Sequence, residues 1–316
     1  MPPSATAAET TAVPAAKELG FSAKQGANWS EYLSFRPIYP QSFFERIYDY
    51  HSNNSSATWD IAHDIGAGCG VVTATLAGRF NKVTVSDPNP GYVTLAQKLL
   101  IENSGLEVSR LRFLQEGAEK SSVRSGTIDV ALLCECIHWT DTEATIREVG
   151  RELRCGGSIV ITHYTVPRIV GNAGAQRVWK LIWDEYSKRA NGPLLDHAFP
   201  IINTGFESLE LPTDQWENVT RIYINSQGDL GTFRMNDRVG ENKVKQGEKR
   251  LWVEGDQDWS DEKDIAWFKG YLATWVPVIP ESDIQDLWNE LDALLGGAKV
   301  HIETPIAMVL ATKKFN

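Results

Sequence analysis

Five short apolar runs alternate with segments of helical periodicity between residues 59 and 163, and this alternation constrains the fold more than any other feature of the 316-residue chain. Each run is long enough for one strand, and each intervening segment spaces its apolar residues three or four positions apart. Strands and helices that alternate in this way favour a parallel sheet covered on both faces, with right-handed crossovers. We therefore predict a doubly wound α/β fold with strands at 59–65, 82–86, 111–114, 128–133 and 158–162.

A glycine-rich turn joins the first predicted strand to the first predicted helix. Its sequence, DIGAGCG at 64–70, lets the backbone pass close to a ligand because glycine has no side chain. A dinucleotide site prefers the spacing G-x-G-x-x-G, whereas here the glycines follow G-x-G-x-G and the sixth position is Val71. The spacing therefore favours a nucleoside ligand without a pyrophosphate, contacted by Gly66, Ala67 and Gly68.

Two carboxylates accompany the turn. Asp87 ends the second predicted strand, where a carboxylate can accept hydrogen bonds from both hydroxyls of a ribose, and Pro88 beside it is a further candidate cofactor contact. NAD and S-adenosylmethionine share this requirement, so Asp87 supports nucleoside binding without separating the two. Asp64 helps to separate them, because a carboxylate just before the turn would repel a diphosphate but attract the ammonium of a methionine moiety.

Residues 59–163 resemble the core of class I S-adenosylmethionine-dependent methyltransferases, whose first motif is similar to 64–70 and whose second acidic position is matched by Asp87. The resemblance implies a seven-stranded Rossmann-like sheet with a helical lid, and S-adenosylmethionine as the cofactor. For Glu135, binding of the methionine ammonium and simple solvation of its loop remain open. The further cofactor contacts that the resemblance implies are Ala118 and Glu119 at the adenine, Cys134 and Glu135 along the methionine arm, and Tyr32 in the lead-in segment.

A closer resemblance concerns three shorter segments. The runs Phe35–Pro40, Glu135–Trp139 and Ile265–Trp275 are similar to those of trans-aconitate methyltransferase-like enzymes, which esterify a carboxylate. The charged segment 236–263 departs from that pattern where the substrate cover should lie. We therefore expect methylation of a small carboxylate or a natural-product intermediate, on oxygen in preference to carbon or sulfur.

His138 and His163 are the candidate catalytic residues. Both follow predicted strands at the sheet edge where α/β proteins bind ligands, and an imidazole titrates near neutral pH. An ionised carboxylate acceptor needs little more than alignment with the methyl group, whereas a hydroxyl or carbon acceptor needs a general base. The alternative for His138 is that it packs over the cofactor or caps the following helix.

We predict that the chain divides into a core and its covers. We expect a disordered tail at 1–20, lead-in helices over the cofactor at 21–58, and the cofactor-binding core at 59–163. Residues 164–275 are expected to form a substrate-covering insertion that adds part of the sheet, and 276–316 a C-terminal helix and the final strands. This division places the acceptor between the core and the insertion.

Composition restricts the partners. The 31 Lys and Arg residues against 41 Asp and Glu give a formal charge of −10, which opposes nucleic acid and anionic membranes. Residues 1–20 lack the features of a signal peptide, and no apolar run reaches the ~18 residues that a membrane span needs. The four cysteines show no C-x-x-C spacing, so no metal site is expected. We predict a cytoplasmic monomer or homodimer that acts on a small molecule.

Two alternatives to methyl transfer remain open on the sequence. An NAD-dependent oxidoreductase shares the strand-turn-helix unit and Asp87, although G-x-G-x-G and Val71 disfavour it. A protein of the same fold could also bind the cofactor and catalyse a non-methylating reaction, or act as a regulator. Fold alone does not separate these activities.

Overall fold

The computed structural model describes residues 33–315, so the candidate Tyr32 lies outside the described residues. These residues form eleven strands in two sheets. The strands are β1 (Ile61–Ile65), β2 (Lys82–Ser86), β3 (Leu111–Leu114), β4 (Ile128–Cys134), β5 (Leu153–Tyr164), β6 (Arg168–Ile169), β7 (Trp216–Ile224), β8 (Lys249–Val253), β9 (Ser260–Lys263), β10 (Val300–Glu303) and β11 (Ile306–Lys313). The larger sheet has eight strands in the order β3-β2-β1-β4-β5-β11-β7-β8, and the smaller has the order β6-β10-β9.

Helices cover both faces of the larger sheet. They are α1 (Gln41–Ser52), α2 (Val71–Leu76), α3 (Pro90–Gln97), α4 (Thr142–Glu152), α5 (Ala173–Arg189), α6 (Pro193–Ile202), α7 (Ile265–Ala273) and α8 (Gln285–Leu295). Successive residues of β4 point to opposite faces, so Val130 and Leu132 pack with α1, α2 and α3, while Ala131 and Leu133 pack with α4 to α8. The predicted doubly wound α/β fold is confirmed.

The parallel half of the sheet brings several strand ends to one edge. β1 pairs in parallel with β2 and β4, and β4 pairs in parallel with β5. The register sets Ile65 opposite Ser86 and Leu133, and sets Cys134 opposite Thr162. Three parts of the chain therefore lie next to one another at this edge: the glycine turn, Asp87 and the residues that follow β4.

The prediction of seven strands is wrong, because the larger sheet has eight. The extra strand, β8, lies inside the charged segment 236–263, where the sequence does not indicate a strand, and it pairs in parallel with β7 at the edge of the sheet. Only one side of an edge strand is paired, so charged residues are tolerated there. Lys249 and Arg250 are exposed, while Trp252 packs on Tyr223 with ring centroids 4.6 Å apart.

The sequence also predicts helix starts at the capping boxes Ser42–Glu45 and Thr140–Glu143 and a helix end at Gly156 and Gly157, and the structure differs at each. The cap of α4 is Asp141, whose side chain accepts a hydrogen bond from the Ala144 N–H, and not Thr140. At α1 the residue before the helix is Pro40, which makes no side-chain cap. The glycines at 156 and 157 do not end a helix; they lie within β5, which begins directly after α4.

Within residues 33–315 we find no helix that combines the length and the apolar character needed to span a membrane.

Candidate active site

A cavity of about 390 Å³ opens at the carboxyl edge of the parallel strands. Its volume lies within the range of small-molecule sites, about 300–1,000 Å³. Every predicted cofactor contact within residues 33–315 lines this cavity: Asp64, Gly66, Ala67, Gly68, Asp87, Pro88, Ala118, Glu119, Cys134 and Glu135.

Sequence reasoning missed several other residues of the wall. Tyr39, Asn89 and Tyr92 also line the cavity. Asn89 carried a local signal, because its side chain accepts a hydrogen bond from the Gly91 N–H and so caps α3, which starts with Pro90. The two tyrosines reach the cavity only through tertiary packing.

The glycine turn adopts a backbone that side chains would obstruct. Gly66, Gly68 and Gly70 all have positive φ, at 65°, 54° and 85°. A Cβ on Gly66 would lie 2.5 Å from the Cβ of Cys136, which follows β4. A Cβ on Gly68 would meet nothing within 4 Å, so the backbone at Gly68 borders open space. The turn thus provides a bare backbone wall for a ligand.

Asp87 ties the turn to the end of β2. Its Oδ2 accepts a hydrogen bond from the Gly68 N–H at 3.0 Å, and its Oδ1 accepts one from the Asn89 N–H at 2.9 Å. The residue is buried and lines the cavity. On the same cavity, Glu119 accepts a hydrogen bond through Oε1 from the Asp141 N–H. Two carboxylates therefore border the space beside the turn.

Asp64 lies fully buried at the end of β1. Burial raises the pKa of its carboxyl to about 6, while the Thr73 hydroxyl, which donates to Asp64 Oδ2 at 2.6 Å, opposes the rise. A carboxylate in this position favours a cation in the cavity, because an opposite charge would offset its desolvation.

A second, smaller cavity of about 50 Å³ lies beside the first. Arg36, Glu135 and Trp139 line both cavities, so they form the partition between them. The rest of the smaller cavity is mainly apolar or aromatic and comes from the region after β5: Tyr186, Leu195, Ala198, Phe199, Ile202, Trp275 and Val276. Its remaining lining residues are the candidate bases His138 and His163.

Both histidines are buried, and their rings lie 5.5 Å apart. Within residues 33–315, His138 Nδ1 and His163 Nε2 are buried and have no hydrogen-bond partner. Burial, with the neighbouring His163 and His197, lowers the pKa of His138 well below its ordinary value. His138 is therefore a neutral imidazole at physiological pH.

Glu135 lines both cavities and makes its protein hydrogen bonds at the end of β5. Its Oε1 accepts a hydrogen bond from the Tyr164 N–H, and its Oε2 lies 2.9 Å from His163 Nδ1. The residue has φ 57°, a left-handed conformation that non-glycine residues rarely adopt. It bonds to the end of β5, so it does not simply solvate its loop.

The half of the chain that is expected to cover the acceptor carries Trp216, Trp252, Trp259, Trp267 and Trp275, of which Trp275 reaches the site. Trp275 lines the smaller cavity, and the Arg36 guanidinium lies 4.6 Å from its ring centroid. Arg36 also donates to the Thr274 carbonyl at 2.9 Å. Trp216, Trp259 and Trp267 are buried in the packing of the core instead.

Comparison with known proteins agrees with this arrangement. Residues 63–161 match the family model described as "Methyltransferase domain". Methyltransferase cfoB of Aspergillus candidus is 26% identical over 93% of this chain and 97% of its own length. Methyltransferase ptaI of Pestalotiopsis fici is 29% identical over 90% of this chain and 93% of its own length.

A solved structure from Anaeromyxobacter dehalogenans that carries the methyltransferase name shares the fold. It superposes with a TM-score of 0.58 at 18% identity, over 88% of this chain and 98% of that chain. The chain described here therefore has the Rossmann-like α/β fold of methyltransferases, with one more sheet strand than predicted.

The fold, the cavity and the family match define an S-adenosylmethionine-dependent methyltransferase. The enzyme uses S-adenosylmethionine as its cofactor. The methyltransferase domain does not agree with the alternative of an NAD-dependent oxidoreductase. The match between this chain and its fungal relatives extends over nine-tenths of the chain, beyond the cofactor-binding core.

Proposed function

We propose that this enzyme transfers a methyl group to an oxygen atom of a small organic acceptor. The observation that carries the proposal is the pair of adjoining cavities, one of about 390 Å³ beside the glycine turn and one of about 50 Å³ walled by aromatic residues. The first has the size for a nucleoside cofactor. The second adjoins it across Arg36, Glu135 and Trp139 and would hold the reacting end of the acceptor.

The residues around the larger cavity fit S-adenosylmethionine. Bare backbone at Gly66, Ala67 and Gly68 allows close approach, and the Asp87 carboxylate suits the ribose hydroxyls. Asp64 would face the methionine ammonium. We assign Pro88 to the ribose end, Ala118 and Glu119 to the adenine, and Cys134 and Glu135 to the methionine arm, with Tyr32 retained as a candidate from the sequence.

The bound cofactor supplies an electrophilic methyl group on a positively charged sulfur. The protein contributes alignment and the exclusion of water, because the smaller cavity is enclosed by buried side chains such as Tyr186, Phe199 and Trp275. His138 and His163 are the side chains of this wall that could accept a proton from the acceptor.

The amino-acid composition bears on the compartment, the oligomeric state and the partners of the enzyme. We propose that the enzyme works in the cytoplasm, as a monomer or homodimer, on a small molecule and without nucleic acid or a membrane as partner. The formal charge of −10 supports this, and the similar fungal proteins make a natural-product intermediate a suitable acceptor class. A carboxylate acceptor, as in trans-aconitate methyltransferase-like enzymes, is the other candidate.

Incubation with methyl-tritiated S-adenosylmethionine tests the proposal directly. The full chain would be given a panel of organic acids, phenols and thiols, and label in each product would be counted after extraction. We expect oxygen-linked label in an acid or a phenol. Binding of S-adenosylhomocysteine without transfer to any acceptor would favour a non-methylating role, and label only in thiols would contradict oxygen as the acceptor atom.

Cofactor binding should weaken as the pH falls through about 6. Asp64 has a pKa raised to about 6, so its carboxyl is charged above that pH and protonated below it, where it no longer attracts an ammonium. Thr73→Val removes the donor to Asp64 and should move the midpoint to higher pH. Calorimetric titration with S-adenosylhomocysteine between pH 5 and 8 measures this, with ~ten-fold loss expected for each pH unit below the midpoint.

Thr162→Val is the matched control for that experiment. Thr162 is also buried, but its hydroxyl donates to the Ala307 carbonyl and not to a carboxylate. We expect its pH profile to follow the wild type. A profile that is flat across pH 6 in the wild-type enzyme would remove Asp64 as the partner of the ammonium.

A further inference from the structure

The side chains of Glu135 and His163 form a hydrogen-bonded pair at the boundary of the two cavities. Glu135 Oε2 and His163 Nδ1 are 2.9 Å apart, and the His163 side chain is 2% exposed. Glu135 lines both cavities, whereas His163 lines only the smaller one. Both residues therefore border the aromatic cavity, and Glu135 also borders the larger one.

The contact with Glu135 determines which nitrogen of His163 carries the proton. An ionised carboxylate only accepts hydrogen bonds, so Nδ1 must be the donor. In the neutral ring the lone pair then lies on Nε2. Within residues 33–315 this nitrogen is buried and has no hydrogen-bond partner. A buried hydrogen-bond acceptor without a partner destabilises the folded protein unless a bound ligand donates a hydrogen bond to it.

The backbone holds Glu135 in the orientation that the pair requires. The Tyr164 N–H donates to Oε1, so both carboxylate oxygens point to the end of β5. The left-handed φ of 57° at Glu135 is a strained conformation for a non-glycine residue. Such strain tends to persist at functional sites, where the surrounding structure compensates for it.

The other titratable or charged groups of this wall leave His163 as the better base. They are His138 after β4, Arg36 before α1 and Tyr186 on α5, while Tyr164 at the end of β5 lines the larger cavity. Burial lowers the pKa of His138 and raises that of Tyr186 far above its ordinary value. Arg36 stays charged and cannot accept a proton. Among the described residues of this wall, His163 is the one whose ring has a carboxylate partner at one nitrogen and no hydrogen-bond partner at the other.

We propose that His163 is the general base of methyl transfer, that Glu135 is its positioning residue, and that the acceptor is therefore a phenolic or enolic hydroxyl compound. This inference rests on the proposed function and narrows it. A carboxylate acceptor is already ionised near neutral pH and has no proton to lose, so a built base would add nothing to its reaction. The aromatic wall of the smaller cavity suits a planar ring.

The proposed step balances with these groups. The acceptor O–H proton passes to His163 Nε2, and the acceptor oxygen forms a bond to the methyl carbon as the methyl–sulfur bond breaks. The electron pair of that bond remains on sulfur, which becomes a neutral thioether. Glu135 stays ionised throughout and stabilises the imidazolium through the Nδ1–H bond.

Nitrogen-15 NMR of the histidine rings tests the pair without knowledge of the natural acceptor. The full chain, labelled at histidine and saturated with S-adenosylhomocysteine, would be recorded at pH 8, with the His163 signals assigned from their loss in His163→Asn. We expect a neutral ring with the proton on Nδ1. In Glu135→Gln we expect the fraction of His163 rings with the proton on Nδ1 to fall, so that this tautomer is no longer the main one. Glu262→Gln, which alters the exposed pair Glu262–His301, should leave the His163 signals unchanged.

The chemical linkage of the product tests the acceptor class in the same protein. The tritiated products of the acceptor panel, with 2,4-dihydroxybenzoate included because it carries both groups, would be treated with mild alkali. Ethers resist this treatment and methyl esters are hydrolysed, so we expect alkali-stable label. A wild-type His163 protonated on Nε2, or alkali-labile label, would overturn the inference while leaving methyl transfer intact. Absence of S-adenosylhomocysteine binding, or of any transfer, would instead count against the proposed function.

Discussion

Replacement of Gly66 by alanine should weaken S-adenosylhomocysteine binding by about 1,000-fold, which corresponds to about 4 kcal/mol. The new Cβ would lie 2.5 Å from the Cβ and 2.8 Å from the Sγ of Cys136, and the backbone φ of 65° is already unfavourable for alanine. Cys136 is buried and its Sγ donates to the Ile65 carbonyl, so it has little room to move. The turn must therefore shift away from β4 and distort the cofactor wall.

Gly126→Ala is the matched control, because it introduces the backbone strain without the steric clash. Gly126 has a nearly equal φ of 68°, lies exposed in a turn, and a Cβ there would meet nothing within 4 Å. We expect this variant to lose about 1 kcal/mol of stability and to bind S-adenosylhomocysteine like the wild type. Calorimetric titration measures the affinity of both variants for S-adenosylhomocysteine. Wild-type affinity in Gly66→Ala would show that the turn does not form the cofactor wall.

Replacement of Asp87 by alanine should reduce S-adenosylhomocysteine affinity by about 100-fold. Hydrogen bonds from ribose hydroxyls to a carboxylate contribute about 1.5–3 kcal/mol each. The Asp87 side chain also accepts a hydrogen bond from the Gly68 N–H, which holds the turn in place. It accepts a second one from the Asn89 N–H, which holds the segment after β2. Loss of the carboxylate would therefore remove a ligand contact and loosen the turn that borders it.

Asp229→Ala is the matched control for Asp87→Ala. The Asp229 side chain also binds a backbone amide in its own loop, accepting from the Gly231 N–H at 2.8 Å, but it does not line the cavity. We expect wild-type affinity in this variant. If adenosine, which carries the ribose but no methionine, lost no affinity in Asp87→Ala, Asp87 would not be the ribose partner.

The parallel half of the sheet was predictable because its inner strands, β1, β2, β4 and β5, are mostly buried on both faces. Their runs are short, apolar and separated by helical periodicity, and β2 and β3 have the predicted bounds. The position of the cofactor residues followed from the same half, since Asp64, Gly66 and Asp87 all stand at strand ends. Local sequence and local structure agree there.

The edge strand and the aromatic cavity depended on contacts that local patterns do not carry. β8 is charged because only one of its sides is paired, so its composition is that of a loop. Tyr186, Phe199 and Trp275 meet at the smaller cavity from three separate parts of the chain. No spacing in the sequence links them.

The pairing of Glu135 with His163 was equally beyond sequence patterns. The two residues are 28 positions apart and come together only because β4 and β5 are neighbours in the sheet. Sequence reasoning assigned Glu135 to the methionine arm and named His138 before His163. The hydrogen bond to Nδ1 and the left-handed backbone of Glu135 are visible only in the folded chain.

Calorimetric titration of the full chain with S-adenosylhomocysteine and, separately, with NADH tests the central claim most directly. The cavity with its bare glycine turn, Asp64 and Asp87 predicts one molecule of S-adenosylhomocysteine bound per chain and no binding of NADH. Binding of NADH without S-adenosylhomocysteine would contradict the account.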